Sequence, residues 1–314
     1  MHYLNELKEN DAINEIYLCR TKRTLLTKAG KPYDSLVLQD KTGTMDAKIW
    51  DPGSPGIDDF DELDYVDVTG NVTSFQGKLQ FNVKRIRKCK AGEYDPAQYL
   101  PVSKKDNDEM FQSLLTLIDS VKSEPIRALL EAFFKKDEAF IKAFRASSAA
   151  KAVHHGFVGG LLEHTLGVAN LCDYLAGAYP LINRDLLLAG AMLHDVGKTR
   201  ELSLFPENDY TDEGQLVGHI VIGVEMVDEK IREIPGFPQV LSGEIRHMIL
   251  SHHGEYEFGS PKKPGLIEAV ALNFADNTDA KLEIFKELLE TPGDGVWLGY
   301  QRLFDAMVRR TDVS

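Results

Sequence analysis

The sequence predicts two domains of different class, an N-terminal all-β barrel followed by a C-terminal all-α domain. Apolar residues alternate with period two up to about residue 90, and they recur at helical spacing beyond about residue 105. The stretch between these parts, AGEYDPAQYLPVSKK, holds two prolines and shows neither period. With 314 residues, the chain is long enough for two domains. The predicted boundaries are 1–92 for the barrel, 93–110 for the linker and 111–314 for the all-helical domain.

The N-terminal part reads as several short strands separated by turns. Apolar residues occupy every second position through much of TMDAKIW (44–50), YVDVTGNV (65–72) and KLQFNVKRI (78–86). The sequences KAGKP, DKTG, DPGSPG and QGK supply the turn residues between the strands. Three strands, a short loop over 51–63 and a hairpin fit a five-stranded OB-fold barrel.

The C-terminal part follows a helical period almost throughout. In NDEMFQSLLTLIDSVK, which begins at residue 107, six apolar residues fall on one helical face. Further helices are predicted around 124–134, 137–145, 160–178, 184–196, 215–233, 238–253 and 264–290. The segment VWLGYQRLFDAMV (296–308) is also apolar at helical spacing, and it could dock on the domain or on another subunit, which leaves a homo-oligomer open.

Charge and composition restrict the class of protein. The formal net charge of −13 argues against binding of nucleic acid over the whole surface. The charge of the first 95 residues is nearly balanced, with 14 lysines and arginines against 16 acidic residues. The remaining residues contain 22 lysines and arginines against 33 acidic residues. The basic clusters RTKR (20–23) and KRIRKCK (84–90) allow positive stripes on the barrel. No apolar run approaches a membrane span and the first residues lack a signal-peptide pattern, so we expect a cytoplasmic protein.

Histidines are concentrated in the helical part, where eight of the nine lie. Imidazole suits transition metals, and carboxylate ligands shift the preference towards harder ions such as Mn²⁺. In AMLHDVGKTRE, His194 and Asp195 are adjacent and Lys198 shares their helical face, which would place an ammonium group where a phosphate could bind. An isolated histidine such as His247 is more typical of a surface or core position.

Five segments in order resemble the HD-domain metal-dependent phosphohydrolases. These segments are GGLLEHT (159–165), LHDVGK (193–198), GHI (218–220), SHHGE (251–255) and NFADNTDA (273–280). The resemblance implies a first metal bound by His164, His194, Asp195 and Asp276. It implies a second metal bound by His219, His252 and His253, with Asp195 bridging the two ions. Lys198 matches a lysine that contacts substrate phosphate, so Asp195 and Lys198 are the expected catalytic residues, with two Mn²⁺ as the expected cofactors.

An OB-fold joined to an HD domain that begins KAVHHGFVGGLLEHT resembles the YhaM family of bacterial 3′→5′ exoribonucleases over nearly the full chain. The resemblance implies hydrolysis of single-stranded RNA to 5′-nucleotides, with single-stranded DNA left open as a substrate. Two ions would activate a water molecule for in-line attack on phosphorus, without a protein nucleophile. Lys198 would neutralise the developing charge.

Two other functions are compatible with parts of the sequence. One is a phosphohydrolase of small nucleotides or cyclic dinucleotides, although a strand-binding barrel does not suit a small substrate and the GYP signature of the dinucleotide enzymes is absent. The other is a non-catalytic nucleic-acid-binding adaptor, which the intact ligand set disfavours.

Several residues have weaker expectations attached to them. Near the metal site, His154 and His155 are expected to contact substrate, Glu163 could orient a ligand histidine, and Asp279 is expected to cap or pair on its own helix. Thr199, Arg200 and Glu201 are expected to form a solvated exit from the motif. In the barrel, the expected RNA contacts are Trp50, Phe75, Arg23 and Lys78, because OB-folds combine stacking aromatics with basic side chains. The alternative for Trp50 is packing against the linker helices or the HD domain.

Overall fold

The computed structural model describes residues 2–151, 155–290 and 295–311. The chain divides into two compact units. One consists of Met1–Val102 with Phe205–Glu207, and the other of Ser103–Leu204 with Asn208–Ser314. Within the described ranges, no helix combines the length and the apolar character that a membrane crossing requires.

The first unit contains a closed five-stranded barrel, as the sequence predicts. Its strands are β1 (Ala12–Leu26), β2 (Pro32–Asp40), β3 (Gly43–Ile49), β4 (Tyr65–Phe75) and β5 (Lys78–Lys88). The order around the barrel is β1-β2-β3-β5-β4. All neighbouring pairs are antiparallel except β3 and β5, which are parallel. This topology confirms the OB-fold.

The interior of the barrel follows the alternation in the sequence. Leu36, Ala47, Val68 and Phe81 are fully buried, and each lies on the apolar parity of its strand. Leu79 shares the parity of Phe81 but is exposed, because it lies at the end of the hairpin, next to the turn at 76–77. The side chains of the opposite parity therefore form the outer surface of the barrel.

The second unit is built from ten helices in its described part. They are α1 (Asn107–Asp119), α2 (Glu124–Phe134), α3 (Glu138–Ala146), α4 (Gly160–Ala178), α5 (Arg184–Leu193), α6 (Lys198–Glu201), α7 (Asp212–Leu216), α8 (His219–Arg232), α9 (Gln239–Ser251) and α10 (Ile267–Glu290). Helix α5 is central, because every residue from Leu186 to Leu193 is buried and α4, α9 and α10 all contact it. Helices α7 and α8 replace the single helix predicted over 215–233, and the break falls at Gly218, whose φ is 81°.

One segment of the second unit departs from the all-helical prediction for 111–314. The segment 296–308, whose apolar residues fit helical spacing, is instead an antiparallel hairpin of β6 (Trp297–Gln301) and β7 (Ala306–Arg309). Gly299 adopts a φ of 83° and Asp305 a φ of 48°, and both values are incompatible with a continuous helix. The hairpin brings its turn, residues 302–305, to the region of the candidate site described below.

Candidate active site

The site is built around the residues that follow the buried helix α5. His194 and Asp195 come directly after Leu193, and both are buried. Gly197 lies against the start of α8, where a Cβ atom on this residue would lie 2.0 Å from the backbone oxygen of His219. The glycine of the LHDVGK motif therefore permits the close approach that brings His219 towards Asp195.

Two groups of side chains from different helices face this centre. His164 of α4, His194 and Asp276 of α10 have ligand atoms that all lie within 4.8 Å of one another. His219 at the start of α8 forms an equivalent group with His252 and His253, which follow α9. We call these the first and second ligand sets. The structure thus brings together all seven residues predicted as metal ligands.

Asp195 lies between the two sets, with one carboxylate oxygen towards each. Its Oδ2 is 3.3 Å from Nε2 of His194 and 3.5 Å from Nε2 of His164. Its Oδ1 is 3.6 Å from Nε2 of His219 and 3.7 Å from Nε2 of His252. A carboxylate in this position can bridge two ions.

The ring orientation of the ligand histidines is set by hydrogen bonds at Nδ1. Three of the rings donate to backbone carbonyls: His194 to Ala191 at 2.9 Å, His252 to Ile249 at 2.7 Å, and His253 to Phe258 at 2.9 Å. The other two donate to carboxylates: His164 to Asp279 Oδ2 at 2.7 Å, and His219 to Glu201 Oε1 at 2.9 Å. Because Nδ1 donates in each ring, Nε2 is the atom that can bind a metal ion, as in many metal sites.

Asp279 and Glu201 have roles at the site that were not predicted from the sequence. The prediction that Asp279 caps or pairs on its own helix is wrong, because its carboxylate bonds His164 and also His155 Nε2, at 3.0 Å. The prediction that Glu201 belongs to a solvated exit is also wrong, because its side chain is buried and accepts hydrogen bonds from the ring and the backbone N–H of His219. The helical spacing of Asp276 and Asp279 could have indicated the role of Asp279, because residues one turn apart lie on the same face of a helix.

The remaining expectations near the site have mixed outcomes. Glu163 pairs with Ser103 Oγ at 2.5 Å and with Lys105 Nζ at 2.9 Å, so it does not orient a ligand histidine. His155 is buried behind His164 and hydrogen-bonded to Asp279, which does not favour the predicted substrate contact. His154 lies outside the described residues.

Asp195 and Lys198 form a buried ion pair, with Nζ 2.7 Å from Oδ2. Burial acts to raise the pKa of Asp195, but Lys198 and His194 hold it well below its usual range. Burial acts to lower the pKa of Lys198, and the charge of Asp195 overcomes this effect and raises it. Both groups are therefore charged at neutral pH.

Two ligand imidazoles differ in their proton affinity. Burial acts to lower the pKa of His164, but hydrogen bonds with Asp276 and Asp279 raise it to about 9. Burial and the neighbouring imidazoles lower the pKa of His252 well below its usual value, so this ring is neutral. Because an imidazole must give up its Nε2 proton to bind an ion, metal binding at His164 releases a proton.

The buried polar atoms of the site fit a metal ion. Among the described residues, Asp195 Oδ1, His219 Nε2 and His252 Nε2 are buried without a hydrogen-bond partner. Each such atom costs about 1–3 kcal/mol when it is left unpaired. Imidazole nitrogens and carboxylate oxygens are ligands for divalent transition metals, and one ion between these atoms would satisfy all three.

A cavity of about 540 Å³ opens onto the site. His164, Asp195, Lys198 and Asp276 lie on its polar side. The volume is within the range of small-molecule sites, which is about 300–1,000 Å³. A phosphate group entering this cavity would therefore meet both the ligand sets and the ammonium group of Lys198.

The predicted RNA-contacting residues of the barrel lie on its outer surface. Trp50 is 50% exposed and stacks on Tyr33 with ring centroids 5.1 Å apart, and its Nε1 donates to Asn82 Oδ1 at 2.5 Å. Phe75 is 62% exposed, at the β4–β5 turn. Lys78 follows that turn, and both Lys78 and Arg23 of β1 are exposed. Trp50 is therefore a surface residue of the barrel, held in place by contacts within it.

The fold and the site define an HD-domain protein, and the HD domain family matches residues 161–281 of the chain. The chain is 35% identical over 302 residues to the 3′-5′ exoribonuclease YhaM of Bacillus subtilis (strain 168), covering 93% of this chain and 92% of that protein. It is 35% identical to the enzyme of the same name from Geobacillus sp. (strain WCH70), covering 84% and 82%. It is also 35% identical to the Listeria innocua serovar 6a enzyme, covering 84% of each. The chain belongs to the YhaM family.

Proposed function

We propose that this protein is a metal-dependent 3′-5′ exoribonuclease that removes 5′-nucleotides from the 3′ end of single-stranded RNA in the cytoplasm. The observation that carries the proposal is the position of Asp195, which directs one oxygen to each of two ligand sets. The membership of the YhaM family supports the polarity and the RNA substrate.

Two divalent ions, most suitably Mn²⁺, would be held by the two sets with Asp195 between them. When bound, such ions lower the pKa of a water molecule and neutralise phosphate charge. The mixture of imidazole and carboxylate ligands favours Mn²⁺ over the purely oxygen-bound Mg²⁺. The protein contributes rigid orientation, since all five imidazoles are fixed at Nδ1.

Lys198 is the proposed phosphate contact of the site. Its ammonium group lies at the cavity and remains protonated, because Asp195 raises its pKa. A fixed positive charge in a largely buried position stabilises the charge that develops on phosphate oxygens in the transition state. Replacing Lys198 with alanine would therefore lower the rate of hydrolysis while leaving the metal ligands in place.

The barrel is the proposed platform for the RNA strand. Trp50 and Tyr33 form an exposed stacked pair, and Phe75 lies beside one of the barrel turns. Arg23 and Lys78 add positive charge for phosphates. OB-folds bind single strands through such combinations of aromatic surface and cationic side chains.

The test is hydrolysis of 5′-labelled single-stranded RNA with Mn²⁺. We expect a ladder that shortens from the 3′ end, and we expect the Asp195→Ala variant to produce none. Asp228→Ala is a matched control, because Asp228 lies on α8 and pairs with Arg246 outside the site. Circular dichroism of both variants separates loss of activity from loss of fold.

The same assay distinguishes the alternatives. Intact RNA together with hydrolysis of mononucleotides or cyclic dinucleotides would replace the proposal with a small-nucleotide phosphohydrolase. RNA binding without hydrolysis of any substrate would indicate a non-catalytic adaptor. A parallel reaction with single-stranded DNA of the same sequence measures the preference between the two nucleic acids.

A further inference from the structure

One face of helix α10 runs from the first ligand set into an apolar part of the cavity. Asp276, Asn277, Lys281 and Ile284 all line the cavity, in that order along the helix. At 1.5 Å per residue, Asp276 and Ile284 are about 12 Å apart along the helix axis. This distance exceeds what a phosphate group needs, so the cavity has room for the sugar and base attached to it.

The cavity also has an apolar wall, which consists of Phe258 beside the second ligand set, Ile284 on α10, and Leu303 and Phe304 of the hairpin. Leu303 and Phe304 lie in the turn of the C-terminal hairpin. The ring of Phe304 contacts that of Phe285 on α10, with centroids 4.3 Å apart and an interplanar angle of 55°. Leu303 is 62% exposed and Phe258 is 64% exposed.

Phe258 also helps to orient one residue of the second ligand set. Its backbone oxygen accepts the hydrogen bond from Nδ1 of His253. The aromatic side chain is therefore placed beside the ligands by the same short segment, Tyr256–Phe258, that fixes a ligand ring. Exposed apolar side chains that border a polar site are typical of a binding surface.

We propose that the apolar wall binds the nucleobase of the 3′-terminal nucleotide while its phosphodiester lies at the ligand sets. This inference rests on the proposed exonuclease function. In it, the C-terminal hairpin contributes Leu303 and Phe304 to the binding of the substrate base. The wall side chains offer aromatic and aliphatic surface and no hydrogen-bonding groups, so they would accept all four bases through stacking and apolar contact. Lys281, which lies between Asp276 and Ile284 along α10, is a cation suited to the sugar–phosphate backbone.

The experiment compares two 5′-labelled RNA decamers that differ only at the 3′ terminus. One ends in an ordinary adenosine and the other in an abasic ribose. We measure kcat/KM for removal of the terminal nucleotide at saturating Mn²⁺. Stacking of one base on an aromatic side chain corresponds to a change of roughly 5- to 100-fold, so we expect hydrolysis of the abasic substrate to be at least about 5-fold slower. Phe304→Ala should slow the ordinary substrate by a similar factor and leave the abasic substrate unchanged.

Three further variants complete the test. Lys281→Ala should slow both substrates equally, because a backbone contact does not depend on the base. Phe304→Trp keeps an aromatic ring and should restore the difference in rate between the ordinary and the abasic substrate. Leu303→Ala removes another part of the wall without disturbing the Phe285–Phe304 contact, and it should slow the ordinary substrate more than the abasic one. Equal rates for the two substrates in the wild-type protein would overturn the base subsite but leave the exonuclease function intact. Absence of hydrolysis of either RNA would instead overturn the proposed function itself.

Discussion

Removing the carboxylate of Asp279 should weaken metal binding without abolishing catalysis. Asp279 Oδ2 accepts from Nδ1 of His164 at 2.7 Å, and this bond holds the ring with Nε2 towards Asp195 and Asp276. The Asp279 side chain is only 18% exposed, so solvent screens this charge-assisted bond weakly. Such a bond contributes about 1.5–3 kcal/mol, which corresponds to roughly 10- to 100-fold in metal affinity.

The assay is the dependence of the initial rate on Mn²⁺ concentration. Asp279→Asn retains a hydrogen-bond acceptor, so it should raise the half-saturating Mn²⁺ concentration by about 10-fold. Asp279→Ala removes the acceptor, so it should raise that concentration by nearly 100-fold. In both variants kcat should recover at saturating Mn²⁺. Asp228→Asn is the matched control, because Asp228 lies on α8 and pairs with Arg246 outside the site. An unchanged half-saturating concentration, or a loss of rate that Mn²⁺ does not restore, would refute the reasoning.

Four further predictions follow from the same structure. Gly167→Ala should also raise the half-saturating Mn²⁺ concentration, because its Cβ would lie 2.2 Å from Asp279 Oδ1, and an unaltered titration curve would contradict this. Gly197→Ala should lower the free energy of unfolding by about 1–3 kcal/mol, measured in urea, because its Cβ meets the His219 backbone. Trp50→Ala should weaken binding of long single-stranded RNA by roughly 5- to 100-fold and spare hydrolysis of a dinucleotide, so equal losses would count against a separate platform. Mn²⁺ at about 100 times its dissociation constant should stabilise the wild-type protein by about 2.7 kcal/mol in chemical denaturation, and no stabilisation would argue against a preformed metal site.

The order of most elements was predictable because it depends on local pattern, whereas the candidate ligand set was implied by the resemblance to the HD-domain phosphohydrolases. Period-two and helical spacing define which residues face a core, and the buried parity of β2, β3 and β5 follows directly. Histidines and aspartates on buried helix ends are costly unless they have partners, which made their joint occurrence informative. The convergence of His164, His194 and Asp276 follows from the packing of α4, α5 and α10.

The residues that orient the ligands were not predictable in the same way. Asp279 and Glu201 act across gaps between helices, and sequence spacing describes only the face of one helix. The hairpin was misassigned because its apolar residues fit helical spacing, whereas the observed conformation depends on positive φ at Gly299 and Asp305. A turn of this kind is a local backbone preference that apolar periodicity does not report.

The two kinds of acceptor at Nδ1 would allow the metal affinities of the two proposed ligand sets to change independently of each other. Backbone carbonyls hold three of the imidazoles, and no side-chain substitution can remove an acceptor of this kind. Carboxylates hold the other two, and each ligand set contains one of them. Mutation at Asp279 or at Glu201 would therefore change the metal affinity of one proposed ligand set and leave its imidazoles in place. Relatives living at different metal concentrations could diverge at these two positions alone and keep the same reaction.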